Sequence, residues 1–364
     1  MKVPLVENIM RSFERFATLF IVPALILAAS VWTLAGAEAS LKSTSGGPPR
    51  KVIVGTLVQS FFVPYPGTQK RLEELETFID RMAEQSKKVY ARGLDLVVLP
   101  EVAVTGDRGG SKTAALPFEG IVKDRFIRKA REHHAYIVVP MFLVEDEGTK
   151  RYFNVSILIG RNGEVMGTYR KLHLAVPTGS DSMEGDITPG KEARVFQTDF
   201  GKLGMQICFD MEFDYGWKEL ARQGAELVAW PTQSPQTSQP GFRARRGRYY
   251  IVSSTWRDNA SIFEPTGKIT AQVKPPQDIL VQELDLSYAI LPWSSRLRDG
   301  AALRAKYGEK VGFRYYRDED LGIFWSNDPE IPIRRMIQSL GLTEEEEELE
   351  RIRNLYKKAG VPDN

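Results

Sequence analysis

The sequence predicts an α/β fold, a mixed sheet with helices packed outside it. Three observations carry that expectation. Short apolar, β-branched runs alternate with stretches of helical periodicity from Lys51, and the pattern weakens beyond about Leu291. An Asn162-Gly163 pair marks an antiparallel hairpin among units that otherwise read as strand-helix-strand. The composition, 42% hydrophobic and 26% charged over 364 residues, suffices for one large domain with appendages or for two domains.

The first 39 residues stand apart. Lys2, Arg11 and Arg15 precede Phe16–Ala37, a run of 22 residues without a charged side chain that closes on Ala35-Gly36-Ala37. This reads as a signal peptide or an amino-terminal membrane anchor, long enough to span a bilayer. Pro23 and the small residues at its end favour cleavage. The expected location is therefore outside the cytoplasm, periplasmic or extracellular, or at a membrane held by this segment. Residues 40–50 are rich in Ser, Gly and Pro and read as a flexible linker.

Residues 51–290 read as the main domain. Residues 51–58 form an apolar strand. Thr68 can cap a helix in which Leu72, Leu75, Ile79 and Met82 recur at helical spacing. Residues 94–99 form a buried strand ending in Pro100-Glu101. A helix over 126–134 and a strand over 136–144 follow. Residues 153–159 and 164–169 flank the Asn-Gly turn as a hairpin. The run 202–208 is a strand reaching Cys208. A helix over 217–223 and strands over 226–230, 251–255 and 261–264 complete the domain, the last followed by a Pro265-Thr266-Gly267 turn. Residues 291–364 read as an extension without clear periodicity until a terminal helix over 344–358. Thr343 can cap it, its acids lie in the first turns, and a Lys pair lies near its end.

A net charge of +2 gives no bulk electrostatic reason to bind nucleic acid. The run Arg243–Arg248 carries too few arginines for a nucleic-acid footprint, and reads as a solvated or carboxylate-binding helix. The single cysteine has no partner for an internal disulfide. The three histidines, His133, His134 and His173, give no metal-ligand spacing.

Three polar residues follow apolar strands in similar ways: Glu101, Lys171 and Cys208. At the carboxyl ends of strands in an open sheet, such residues face the crevice where ligands bind. A carboxylate, an ammonium and a thiol form a complete set for attack on a carbonyl. The acid can serve as base for the thiol, and the ammonium can hold the oxygen that becomes negative. Taken singly, each has a bland alternative: an inert buried cysteine, a solvated acid, a surface lysine.

Taken in order, Leu99-Pro100-Glu101, Tyr169-Arg170-Lys171-Leu172-His173-Leu174 and Ile207-Cys208-Phe209-Asp210 resemble the three signature segments of the nitrilase, or carbon–nitrogen hydrolase, superfamily. Flanking segments agree: the hairpin leading into Lys171, the Thr188-Pro189-Gly190 turn, Gly224–Pro231 and Asn259–Gly267. The resemblance implies a four-layer α-β-β-α sandwich that assembles as a homodimer or larger homo-oligomer. It implies Cys208 as nucleophile, Glu101 as base, and Lys171 with the backbone N–H of Phe209 as stabilisers of the tetrahedral intermediate. Many members carry a second glutamate before the Pro-Gly turn, and Glu184 is the one glutamate available there. It would orient the lysine or the leaving amine. His173 would be structural support. The chemistry implied is hydrolysis of a non-peptide C–N bond through a thioester, with no metal or organic cofactor. Phe209-Asp210 after the cysteine favours an amide-type or carbamoyl small molecule over a nitrile. Nitrile hydrolysis and a non-catalytic secreted binding protein on the same scaffold stay open as alternatives. The chain departs from the family pattern at Phe213–Gly216 and at Arg243–Tyr250, which lacks the usual acid.

Overall fold

The protein is described by a computed structural model covering residues 46–59, 64–106, 110–146 and 148–362. The segment expected to be a signal or anchor, 1–39, lies outside the described residues. Among the described residues no helix is long and apolar enough to cross a membrane.

Alternation along β1 (Lys51–Leu57) sets the architecture. Val52 and Val54 enter one core, while Ile53 and Leu57 enter another on the opposite face. The helix α1 (Thr68–Tyr90) covers the second face with Leu72, Leu75, Ile79 and Met82, the positions its periodicity marks. Then come β2 (Leu96–Val98), α2 (Ser111–Ala114), α3 (Ile121–His133), β3 (Tyr136–Asp146), β4 (Arg151–Ile159) and β5 (Val165–Arg170). β1, β2 and β3 run parallel, and β4 and β5 return antiparallel around the Asn-Gly turn.

A second unit repeats this plan with β6 (Phe196–Gln197), β7 (Lys202–Met205), α4 (Asp214–Arg222), β8 (Leu227–Pro231), α5 (Ser238–Gly247), β9 (Tyr250–Ser254), β10 (Ala260–Phe263) and β11 (Ile269–Val273). Its sheet runs β11-β10-β9-β8-β7-β6, with β7, β8 and β9 parallel. β12 (Ile279–Asp285) crosses back to lie antiparallel beside β1, giving a first sheet of order β12-β1-β2-β3-β4-β5.

The two sheets face each other. Val52, Val54, Leu96 and Val98 of the first meet Leu203, Met205, Leu227 and Ala229 of the second in one buried cluster. The outer face of the first sheet packs on α1 and α3 through residues such as Phe126 and Val97. The outer face of the second packs on α4 and α5 through Trp217, Trp230 and Ala244. The result is the expected α-β-β-α sandwich. Both parallel centres are buried on two faces, so their strands read as continuous apolar runs.

The carboxyl-terminal segment is more ordered than its sequence suggests. β13 (Tyr288–Pro292), α6 (Ala301–Tyr307), β14 (Val311–Tyr316), β15 (Leu321–Ser326) and α7 (Ile333–Gln338) enclose their own core of Leu291, Leu303, Val311, Phe324 and Ile333. The sheet order is β13-β15-β14. The boundary expected at 291 falls inside β13. α8 (Glu345–Lys358) begins one residue later than expected, with Glu344 at its cap position in place of Thr343. Its Glu345 accepts Arg245 and Arg248 at 2.5 Å each. The arginine run is therefore a carboxylate-binding helix, one of the two readings its sequence left open.

Candidate active site

β2 and β7 are interior strands, and the chain leaves each at its carboxyl end into the site. Beyond β2 the backbone turns at once. Ala103 N–H donates to Pro100 C=O at 3.0 Å, and Val102 adopts a left-handed φ of 49°. The turn holds Glu101 buried, with 1% of its surface exposed. Trp256 Nε1 fixes it from behind by donating to the Glu101 carbonyl at 2.8 Å.

Lys171 follows the last residue of β5, and its N–H donates to Asn154 C=O on β4 at 2.9 Å. Its ammonium lies between two acids, 2.8 Å from Glu101 Oε1 and 2.8 Å from Glu184 Oε2. Glu184 sits in the loop after β5 at a φ of 48°. Its N–H donates to Ala175 C=O at 2.7 Å, while Ala175 N–H donates back to its carboxylate at 3.1 Å. The loop returns so close to β5 that a Cβ on Gly190 would overlap the Arg170 carbonyl, which explains the Pro189-Gly190 pair.

Asn154 is the residue that sequence reasoning missed. Its Nδ2 donates to Glu101 Oε1 at 2.9 Å and to Glu184 Oε1 at 2.6 Å, tying the two acids together. It is fully buried on β4. It lay inside the hairpin already noted, but a polar residue in an apolar strand was its one signal.

Cys208 opens a 3-10 turn, Cys208–Glu212, at a left-handed φ of 41°. Backbones of this kind persist where their surroundings over-determine them, and they gather at functional sites. Asp210 supplies much of that constraint. Its carboxylate accepts Tyr169 Oη at 2.7 Å, Ile207 N–H at 2.9 Å and His173 N–H at 2.8 Å. The His173 ring nitrogen Nδ1 lies 3.0 Å from the same carboxylate, and the ring stacks on Phe213 at 4.1 Å. His173 therefore supports the turn, as expected. Arg243 of α5 donates to the Met211 carbonyl at 3.1 Å and pairs with Asp214. The two departures from the family pattern thus meet each other.

The electrostatics follow from the count of charges. Two carboxylates face one ammonium, so the cluster without the thiol is already net negative. Burial opposes the charge on Lys171, but Glu101, Glu184 and Cys208 outweigh it and hold the ammonium well above its ordinary pKa. Burial and then the Glu101 charge push the Cys208 thiol up to about 12, against the pull of Lys171 and of hydrogen bonds from the Gln233 backbone and Thr232. Cys208 is half-buried and packs against the core between the two sheets. The resting group is a thiol, so it needs a base to become a nucleophile. The second oxygen of Glu101, Oε2, is buried and has no hydrogen-bond partner among the described residues. It is free to take a proton.

Among the described residues, one other cluster has metal-type side chains. Ligand atoms of Asp80, Glu132 and His133 lie within 4.8 Å of one another. Lys129 Nζ already sits 2.6 Å from Asp80 and 3.0 Å from Glu132, so an ammonium compensates those acids.

The carbon-nitrogen hydrolase family profile matches residues 63–291. An omega-amidase of Danio rerio is 26% identical over 224 residues, covering 56% of this chain and 80% of that protein. The deaminated glutathione amidase of Homo sapiens is 25% identical over 234 residues, covering 57% and 71%. Among solved structures, a Saccharomyces cerevisiae member of the nitrilase superfamily superposes with a TM-score of 0.55 at 22% identity, over 65% of this chain and 90% of that one. A mutant amidase from Nesterenkonia sp. in complex with acrylamide gives 0.54 at 20%, over 65% and 91%. Fold, ordered motifs and family profile agree: the chain belongs to the carbon-nitrogen hydrolase family of the nitrilase superfamily.

Proposed function

We propose that this protein hydrolyses an amide or carbamoyl C–N bond of a small molecule through a thioester on Cys208. The observation that carries the reading is the Lys171 ammonium, bonded at 2.8 Å to both Glu101 and Glu184, with Glu101 and Lys171 both charged against the Cys208 thiol and pulling its acidity in opposite directions. Glu101 Oε2 takes the thiol proton as Sγ bonds to the substrate carbonyl carbon. The carbonyl electron pair moves to oxygen, where Lys171 and the Phe209 N–H stabilise it. Collapse restores the C=O bond and expels the amine, which leaves with the proton held by Glu101. Glu101 then deprotonates a water that attacks the thioester, and Cys208 regains its thiol. Glu184 and Asn154 hold Lys171 and Glu101 in register throughout. The named activities of the relatives, omega-amidase and deaminated glutathione amidase, and the acrylamide complex of the structural neighbour support an amide over a nitrile.

The test is turnover of matched panels of amides, carbamoyl compounds and nitriles by the wild-type chain and by Cys208→Ala. The reading expects amide or carbamoyl turnover that the substitution abolishes. Faster nitrile turnover, or labelling of Cys208 by iodoacetamide with no turnover of any compound, would overturn it. The proposal includes export or membrane anchoring by residues 1–39, supported by the uncharged run and its small-residue end. It also includes assembly of like chains. Mass spectrometry of the amino terminus isolated from cells distinguishes a cleaved from a retained segment.

A further inference from the structure

We propose that Trp230 is a positioning residue for the oxyanion site, acting through the peptide that joins Cys208 to Phe209. The inference rests on the thioester reading above and extends it to a residue that touches no substrate.

Trp230 lies near the end of β8, fully buried, on the helix side of the second sheet among Trp217, Ala244 and Phe263. Its Nε1 donates to the Cys208 carbonyl at 3.2 Å. A trans peptide is planar, so its C=O and N–H point in opposite directions. Holding the Cys208 carbonyl toward β8 therefore turns the Phe209 N–H away from the indole. Phe209 is the second residue of its 3-10 turn, so that N–H has no acceptor within the turn. It is left for the charge that develops on a substrate oxygen, together with the Lys171 ammonium that already acts on the thiol. The φ of 41° at Cys208 makes this arrangement costly to hold without an anchor.

The rest of the turn supplies a matched control. Trp217 Nε1 donates to the Asp210 carbonyl at 2.9 Å. It is a second buried indole of the same cluster, tied to the same turn, but to a peptide two residues further on. Removing either N–H disturbs the same core. Only the Trp230 bond acts on the peptide that follows the nucleophile.

The experiment compares Trp230→Phe, Trp217→Phe and Cys208→Ala in the full chain. It reads kcat and KM for an amide that the wild type hydrolyses, and the rate at which iodoacetamide alkylates Cys208. Alkylation displaces iodide from a saturated carbon and builds no charge on a carbonyl oxygen, so a misdirected Phe209 N–H leaves it unchanged. Loss of an oxyanion donor costs about 100- to 1000-fold in kcat, and loss of its orientation is expected to cost about 10- to 100-fold. Trp230→Phe should show that loss with KM and alkylation near wild type, and Trp217→Phe should lose far less kcat. Replacement of Trp230 by 3-benzothienylalanine keeps the shape and removes only the donor, so it carries the test if Trp230→Phe fails to fold. Wild-type kcat in either Trp230 variant, alkylation that falls in step with kcat, or an equal loss in Trp217→Phe would overturn the assignment. Turnover that survives in Cys208→Ala would instead sink the thioester reading itself.

Discussion

Replacing Glu101 by Gln should make the cysteine more acidic and the enzyme slower. The substitution keeps the shape and leaves an amide oxygen to accept from Lys171 and Asn154, as Oε1 does now. It removes the negative charge that, after burial, does most to push the thiol up to about 12. At pH 8 a thiol of that pKa is ionised in roughly one molecule in ten thousand. A nearby charge of this kind moves a pKa by about one to three pH units. With Lys171 still in place, the thiolate population should rise about 10- to 1000-fold. On the proposed mechanism, in which Glu101 is the base for both thiol and water, hydrolysis should fall by at least about 100- to 10000-fold. Titration of the thiolate by its ultraviolet absorbance, with amide turnover measured on the same samples, reads both quantities. An unchanged or raised thiol pKa in Glu101→Gln would refute the charge argument. Hydrolysis at the wild-type rate would refute the role of the base.

Three further outcomes follow from named contacts. Lys171→Met leaves the buried Glu101 and the half-buried Glu184 without their cation, which should cost about 3–5 kcal/mol in denaturant unfolding; adding Glu184→Gln should restore part of that loss, and a fully additive double variant would argue against the pair acting together. Glu345 is held below its ordinary pKa by Arg245 and Arg248 despite burial, so its contribution is present above the unfolded carboxylate pKa of about 4.3 and is lost as pH falls through the depressed folded value. The stability gap between wild type and Glu345→Gln should therefore be full at neutral pH and close in acid; a gap that widens in acid would contradict the ion pairs. Gly190→Ala forces the loop off the Arg170 carbonyl next to Lys171, and should cost about 1–3 kcal/mol together with a drop in kcat; wild-type melting and turnover would show that the loop can give way.

The sandwich was legible because its strands carry their own addresses. Both faces of β2 and β8 are buried, so 94–99 and 226–230 stand out as apolar runs, and α1 declares its inner face through Leu72, Leu75, Ile79 and Met82. Glu101, Lys171 and Cys208 stood out as polar residues following such strands. Their meeting across long sequence separations was expected from the family resemblance, since spacing alone cannot report it. The structure brings Lys171 onto Glu101 and Glu184, and sets the thiol under the charges of Glu101 and Lys171. Asn154 was hidden because nothing in a hairpin strand distinguishes a bridging amide from a tolerated one. The carboxyl-terminal sheet was hidden for a different reason. Gly312 lies against the Trp325 ring, and Arg314 reaches back to the buried Glu264 at 2.6 Å. Tertiary contacts thus replaced the alternation that marks a strand. Trp217, Trp230 and Arg243 donate to backbone carbonyls of the Cys208–Glu212 turn and leave no sequence signature.

The central claim is that Glu101, Lys171 and Cys208 act together to pass an acyl group through sulfur. Rapid-quench mass spectrometry of the wild-type chain during amide turnover tests it most directly. The account predicts a transient mass gain equal to the acyl group, mapped to the peptide that contains Cys208. Turnover at the full rate with no acylated Cys208 at any time would contradict it.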